Sequence, residues 1–93
     1  MDAAEGWRHV FKSWPAGYPK SGIIVTSFQE TIPFCNFMIS DAIVLLERDR
    51  PDSLGARKAM VAFEAISALK LTDVFELSKF EAFGFKGVGP GGK

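Results

Sequence analysis

Side chains that carry out acid–base or nucleophilic chemistry, or that bind metals, are scarce in this sequence. His9 is the only histidine among its 93 residues, so a zinc site or a Ser-His-Asp triad would lack the partners it needs. Cys35 is the only cysteine, which excludes a disulfide within the chain, and its apolar neighbours predict a buried, unreactive thiol. We therefore predict a protein that is not an enzyme and that holds no cofactor or metal.

The densest group of basic side chains flanks a polar stretch between the two halves of the sequence. Its members are Arg48, Arg50, Arg57 and Lys58. Three carboxylates, those of Glu47, Asp49 and Asp52, are interleaved with them, so the local charge is nearly neutralised. We expect a solvated turn whose basic residues make a polar contact with a neighbouring chain or with a nucleic-acid backbone.

Composition limits the kinds of partner that the chain can have. Eleven basic and eleven acidic side chains give a net charge of zero, which argues against DNA as a partner bound by bulk charge. Apolar residues make up 47% of the sequence, too many for a disordered chain. No apolar run approaches the ~20 residues of a membrane span, and the first residues lack the basic start of a signal peptide. These features predict one cytoplasmic domain with no membrane partner.

An N-terminal helix is predicted over residues 2–14. Asp2 and Glu5 have the spacing of a capping box. One face of the helix is apolar, since its spacing brings together Trp7, Val10, Phe11 and Trp14. Pro15 ends the helix. A helix this short is not stable alone, so the apolar face must pack on the rest of the domain.

Strand-like runs follow the helix. Residues 23–28 and 32–39 are joined by three residues, which is short enough for a hairpin, and Asn36 is placed for a bulge in the second run. A third run covers residues 42–48 and ends at a polar turn. Residues 56–71 fit either a helix of about four turns or two short strands, and helix propensity favours the helix. One domain is predicted over residues 1–85, with a flexible Gly-rich tail at 86–93.

The order of these elements, with the closing segment from Phe63 to Leu71, resembles that of the Sm-like family. The resemblance covers residues 3–73. It implies a mainly β fold, in which an N-terminal helix covers a small, strongly bent five-stranded barrel. A tight turn precedes the last strand in that pattern. On this resemblance we assign residues 57–63 and 66–72 to strands.

The loops differ from those of Sm-like proteins that bind RNA. Such proteins place an Asp and an Asn between the second and third strands, and a basic residue, often Arg before Gly, between the fourth and fifth. Here the first loop is Ser40-Asp41, and the second is Glu64-Ala65. Asp41 and Glu64, repeated around a ring, would repel phosphate. The sequence thus resembles a divergent member without the usual RNA pocket, for which weak RNA binding is the most we expect.

Self-association is the function that the sequence favours. In the Sm-like pattern the fourth strand of one subunit pairs with the fifth strand of the next, and the head-to-tail contact closes a ring. We expect subunit pairing through Met60, Val61, Ala62, Phe63, Ser67, Ala68, Leu69 and Lys70. A proline at Val61 should then break the assembly by removing a backbone donor. The predicted function is a non-enzymatic, homo-oligomeric ring.

An alternative reading keeps the helix in the ambiguous stretch. In that reading the chain is an α+β domain, a three-stranded antiparallel sheet covered by the N-terminal helix and by a second helix over 56–70. It would act as a monomeric or dimeric protein-interaction domain with no nucleic-acid role.

Overall fold

The computed structural model describes residues 1–88. Its helix and strands, in chain order, are α1 Ala3–Lys12, β1 Gly22–Thr26, β2 Thr31–Phe34, β3 Asn36–Ile39, β4 Ile43–Glu47, β5 Lys58–Ala62 and β6 Ile66–Lys70. Two 3-10 helices accompany them, a connecting one at Phe63–Ala65 and a C-terminal one at Leu77–Phe83. The strands form two three-stranded antiparallel sheets, which makes this a small α+β fold.

The predicted capping box is present at the start of α1. The Asp2 carboxylate accepts the backbone N–H of Glu5 at 2.8 Å, and the Glu5 carboxylate accepts the backbone N–H of Asp2 at 3.1 Å. Both bonds satisfy donors that a helix N-terminus otherwise leaves unpaired. The helix ends at Lys12. Trp14 lies beyond its end and is still buried with Phe11, so the predicted apolar face is the face that packs inward.

The first sheet has the strand order β2-β1-β6. Pro33 of β2 lies opposite Ile23 of β1. Bonded and non-bonded residue pairs alternate along this ladder, and Thr26 and Glu30 at the hairpin end form a bonded pair, since the Thr26 N–H donates to the Glu30 carbonyl. Counting from there, Ile23 and Pro33 are a pair that exchanges no backbone hydrogen bonds. The proline therefore costs no ladder bond. Gly22 is required at the other end of β1, since a Cβ there would lie 2.8 Å from the Lys70 carbonyl oxygen.

The second sheet has the order β3-β4-β5. Its strand β3 follows directly after β2 of the first sheet, and the chain bends between the two. The bend is at Cys35, where pairing passes from β1 to β4. At the bend itself the Cys35 backbone N–H donates to the Glu47 carbonyl. The predicted run 32–39 is thus two strands, so residues 1–88 contain six strands where the prediction is five. The predicted burial of Cys35 is wrong, because the bend leaves this residue exposed.

Residues 56–70 do not form a helix. They contain β5, the connecting 3-10 helix and β6, so the two strands assigned from the family resemblance are confirmed and the helical alternative over this stretch is wrong. Tertiary pairing overrides the helix propensity of the alanines. Lys58 to Ala62 form a complete antiparallel ladder with β4, and Ile66 to Lys70 pair with β1.

Aromatic rings from α1 and the strands fill the space between the sheets. Phe11 of α1 is at the centre, with its ring centroid 4.9 Å from that of Phe37, 5.7 Å from Trp14 and 6.1 Å from Phe63. Phe63, in the connecting 3-10 helix, is 1% exposed. The helix is therefore held to the sheets by aromatic contacts, which explains how so short a helix is stable.

The chain after β6 returns to the side of the fold that carries α1. Phe83, in the C-terminal 3-10 helix, is buried and packs edge-on against Trp14 at 5.3 Å. Tyr18 stacks on Phe75 at the same centroid distance, 5.3 Å. Of the predicted tail at 86–93, residues 89–93 lie outside the described residues. Within residues 1–88 no helix is long and apolar enough to cross a membrane.

Candidate assembly edges and loop surfaces

β5 is an outer strand of the second sheet, and the backbone groups of every second residue face away from β4. Arg48 N–H donates to the Arg57 carbonyl at one end of this ladder, and Phe63 N–H donates to the Ala42 carbonyl at the other. Bonded pairs alternate in an antiparallel ladder, so Ala59 and Val61 bond β4. Lys58, Met60 and Ala62 therefore point their backbone N–H and C=O groups outward.

β6 is an outer strand of the first sheet and has a bulge near its start. The register with β1 shifts between Val25 and Thr26, opposite Ile66 to Ala68. Successive residues of β1 direct their backbone hydrogen bonds alternately to β2 and to β6. The residues of β6 that are hydrogen-bonded to β1 are therefore Ala68 and Lys70, and the backbone N–H and C=O of Leu69 point outward. Each sheet thus ends in a strand with unpaired backbone groups, and the connecting 3-10 helix joins the two.

The residues predicted for subunit pairing divide between these edges and the interior. Met60 is 75% exposed, and Ser67 and Lys70 are also exposed. Ala62, Ala68 and Leu69 are half-buried. The side chains of Val61 and Phe63 are in the core instead. Because the Val61 N–H faces β4, a proline there would act on the fold of one chain and not on an edge.

An apolar row on the outer face of the second sheet was missed by the sequence analysis. Met38, Leu45 and Met60 lie directly opposite one another on three adjacent strands. Met38 is 71% exposed. The alternation of side chains along residues 36–39 and 43–47 could have indicated this row. It is an exposed apolar surface continuous with the free edge of β5.

The Asp52 side chain fixes the conformation of the turn between β4 and β5. Its carboxylate oxygen Oδ1 accepts the backbone N–H of Leu54 at 2.8 Å and that of Ala56 at 2.9 Å. Hydrogen bonds from Ala56 and then Leu54 hold the pKa of Asp52 below its usual value. The Asp52 N–H also donates to the Ala56 carbonyl at 2.9 Å. The result is a fixed loop with Leu54 at its tip, 93% exposed.

The basic residues of this turn are less neutralised than their sequence neighbours suggest. Lys58 Nζ lies 3.6 Å from a Glu47 carboxylate oxygen, so these two charges pair with each other. The Arg48 Nε donates to the carbonyl of Arg50 at 3.1 Å. Within residues 1–88 the guanidinium groups of Arg50 and Arg57 form no ion pair, and both residues are exposed.

Three loops meet at the opposite end of the β4–β5 pair. Ser27 N–H donates to the Ala65 carbonyl at 2.7 Å, which joins the β1–β2 turn to the connecting 3-10 helix. The Phe63–Ala42 bond joins that helix to the β3–β4 turn. This end carries the exposed carboxylates of Glu30, Asp41 and Glu64. Asp41 lies 3.6 Å from Arg8 of α1, so one basic side chain is at this end.

The structure offers no metal centre within the described residues. No group of three His, Cys, Asp or Glu side chains there could hold an ion. His9 is exposed on α1, and its Nε2 lies 3.4 Å from the position that a Cβ on Gly84 would take. An open cavity of about 400 Å³ beside it is lined by apolar residues of α1 and by residues 83–85. The cavity brings no second titratable group to His9.

The chain matches no known protein-family model, no curated protein and no solved structure.

Proposed function

We propose that this chain is a divergent Sm-like protein that assembles head-to-tail into a homo-oligomeric ring through β5 of one copy and β6 of the next. The proposal includes a non-enzymatic role, a cytoplasmic location and weak RNA binding. The observation that carries it is the pair of free edges at β5 and β6, two strands that the same short 3-10 helix connects.

The order of strands supports the Sm-like assignment. Followed through the bend at Cys35, the pairing runs β6-β1-β2/β3-β4-β5, with α1 packed beneath it. That is the order of a bent sheet in which the last two strands of the chain are the two outer ones. A closed five-stranded barrel is part of the proposal.

The free edges support association between copies. Both outer strands have five residues, neither contains proline, and each has outward backbone groups. Unpaired edges of this kind form ladders with other chains unless they are covered. Since β5 and β6 are different surfaces, a contact between them is head-to-tail, and such a contact closes into a ring when its rotation permits.

The test is the absolute mass in solution, measured by light scattering on a sizing column. The wild-type chain is expected as a discrete multiple of 10.2 kDa. Met60→Pro, which removes an outward N–H, is expected as a monomer with an unchanged circular dichroism spectrum. Met60→Ala keeps that N–H and is the matched control, which should keep the full mass.

A mixing experiment separates head-to-tail pairing from other contacts. Leu69→Pro removes the outward N–H of β6, so it leaves β5 intact, whereas Met60→Pro leaves β6 intact. Mixing two folded monomeric variants should then give a particle of twice the chain mass and nothing larger. A monomeric wild type at all concentrations would overturn the proposal and favour the alternative of a protein-interaction domain, for which the row Met38–Leu45–Met60 is the surface to test.

A further inference from the structure

We infer that the turn between β4 and β5 binds the phosphodiester backbone of a single-stranded nucleic acid through Arg50 and Arg57. This inference deepens the weak RNA binding of the proposed function, and it places the contact away from the loops where the Sm-like resemblance would put it.

The first support is the way in which the carboxylates of the turn are used. Asp52 accepts backbone N–H groups of its own loop, and Glu47 pairs with Lys58. The sequence pattern of alternating charges suggests neutralisation, but these two carboxylates are engaged away from Arg50 and Arg57. The third, that of the exposed Asp49, forms no ion pair within residues 1–88. Both guanidinium groups thus remain for an external anion, and their planar, fork-shaped donors suit phosphate.

The second support is the contrast between the two ends of the β4–β5 pair. The end that holds the three loops carries the exposed carboxylates of Glu30, Asp41 and Glu64, and Arg8 lies 3.6 Å from Asp41. A polyanion is repelled there and is attracted at the turn. A head-to-tail assembly repeats the turn once per copy. One strand of nucleic acid can then contact the turns of several copies, and the weak contacts add together.

The geometry favours a nucleic acid over a lipid surface. Leu54 at the tip is the one large apolar side chain that the turn extends into solvent between residues 50 and 57. Burying a single leucine contributes less than stable membrane anchoring requires. Because no aromatic ring lies in the turn, binding should follow phosphate charge with little preference among bases.

The experiment measures fluorescence anisotropy of a labelled 20-nucleotide oligo-uridine at several salt concentrations. The double variant Arg50→Gln/Arg57→Gln is expected to bind more weakly. The negative slope of log K against log salt should become shallower, by about 1.4 per bound copy. The matched control, Lys12→Gln/Lys79→Gln, removes two exposed charges from other parts of the described chain and should keep the wild-type slope.

Three outcomes would overturn the inference. These are no binding by the wild type at low salt, equal losses in the two double variants, and binding to anionic vesicles in place of the oligonucleotide. The mass of each variant is measured in parallel. A wild-type monomer that still binds through Arg50 and Arg57 would overturn ring assembly alone. A full-size particle that does not bind would overturn this inference and the weak RNA binding on which it rests, and would leave ring assembly standing.

Discussion

The interior beneath α1 and the two outer strands use apolar residues in opposite ways. In the interior, Phe11 has three ring centroids within about 6 Å, and Phe63 is almost completely buried. On β5, Met60 is three-quarters exposed and its backbone groups point to solvent. The difference separates the stability of one chain from association between chains. Variants at neighbouring positions of one strand should therefore have different consequences.

The largest expected effect is on the interior. Phe63→Ala removes a fully buried ring from the contact with Phe11 and leaves a cavity, so the free energy of unfolding should fall by about 3–5 kcal/mol. Urea unfolding followed by tryptophan fluorescence measures the change, since Trp14 is in the same cluster. A loss under about 1 kcal/mol would mean that the ring is not part of a packed interior.

Val61→Pro, one residue from Met60, should act on the fold. The Val61 N–H faces β4, so the proline removes a bond within the chain and should cost about 3 kcal/mol or more. Circular dichroism against temperature is the measurement, with Met60→Pro beside it. If Val61→Pro kept its melting temperature and lost only the assembled mass, the backbone directions assigned to β5 would be reversed.

The smallest expected effect is at the start of α1. Asp2→Ala removes one half of the capping box and should lower the free energy of unfolding by about 1 kcal/mol. Because Asp2 lies on neither outer strand, the mass in solution should not change. Urea unfolding and light scattering together check this, and an altered mass would show that association involves the helix as well as the edges.

Local signals in the sequence predicted much of the fold. The capping box of Asp2 and Glu5 sets the start of α1, and the short links between apolar runs predict the β1–β2 hairpin. Both depend on residues close together in the chain. Residues 56–71 were different, because their helix propensity is overridden by pairing with β4 and β1, which are distant in sequence. The family resemblance resolved that stretch, whereas periodicity did not.

The candidate sites were harder to predict, for a physical reason. Whether a carboxylate neutralises a nearby arginine depends on where it points, and the Asp52 side chain points to backbone N–H groups of its own turn. Likewise, Cys35 lies in an apolar run but is exposed because the chain bends there. Side-chain direction at a bend or in a loop has no repeating period, so sequence spacing does not contain it.

The three-residue helix Phe63–Ala65 also has a geometric consequence. It joins the two outer strands within a single chain, and the buried ring of Phe63 fixes its position. Any particle built by repeating a β5–β6 contact takes its rotation per copy from the angle held at this joint. The number of copies in a closed particle, or the pitch of an open filament, then depends on this joint, whose Phe63 side chain is buried inside its own chain.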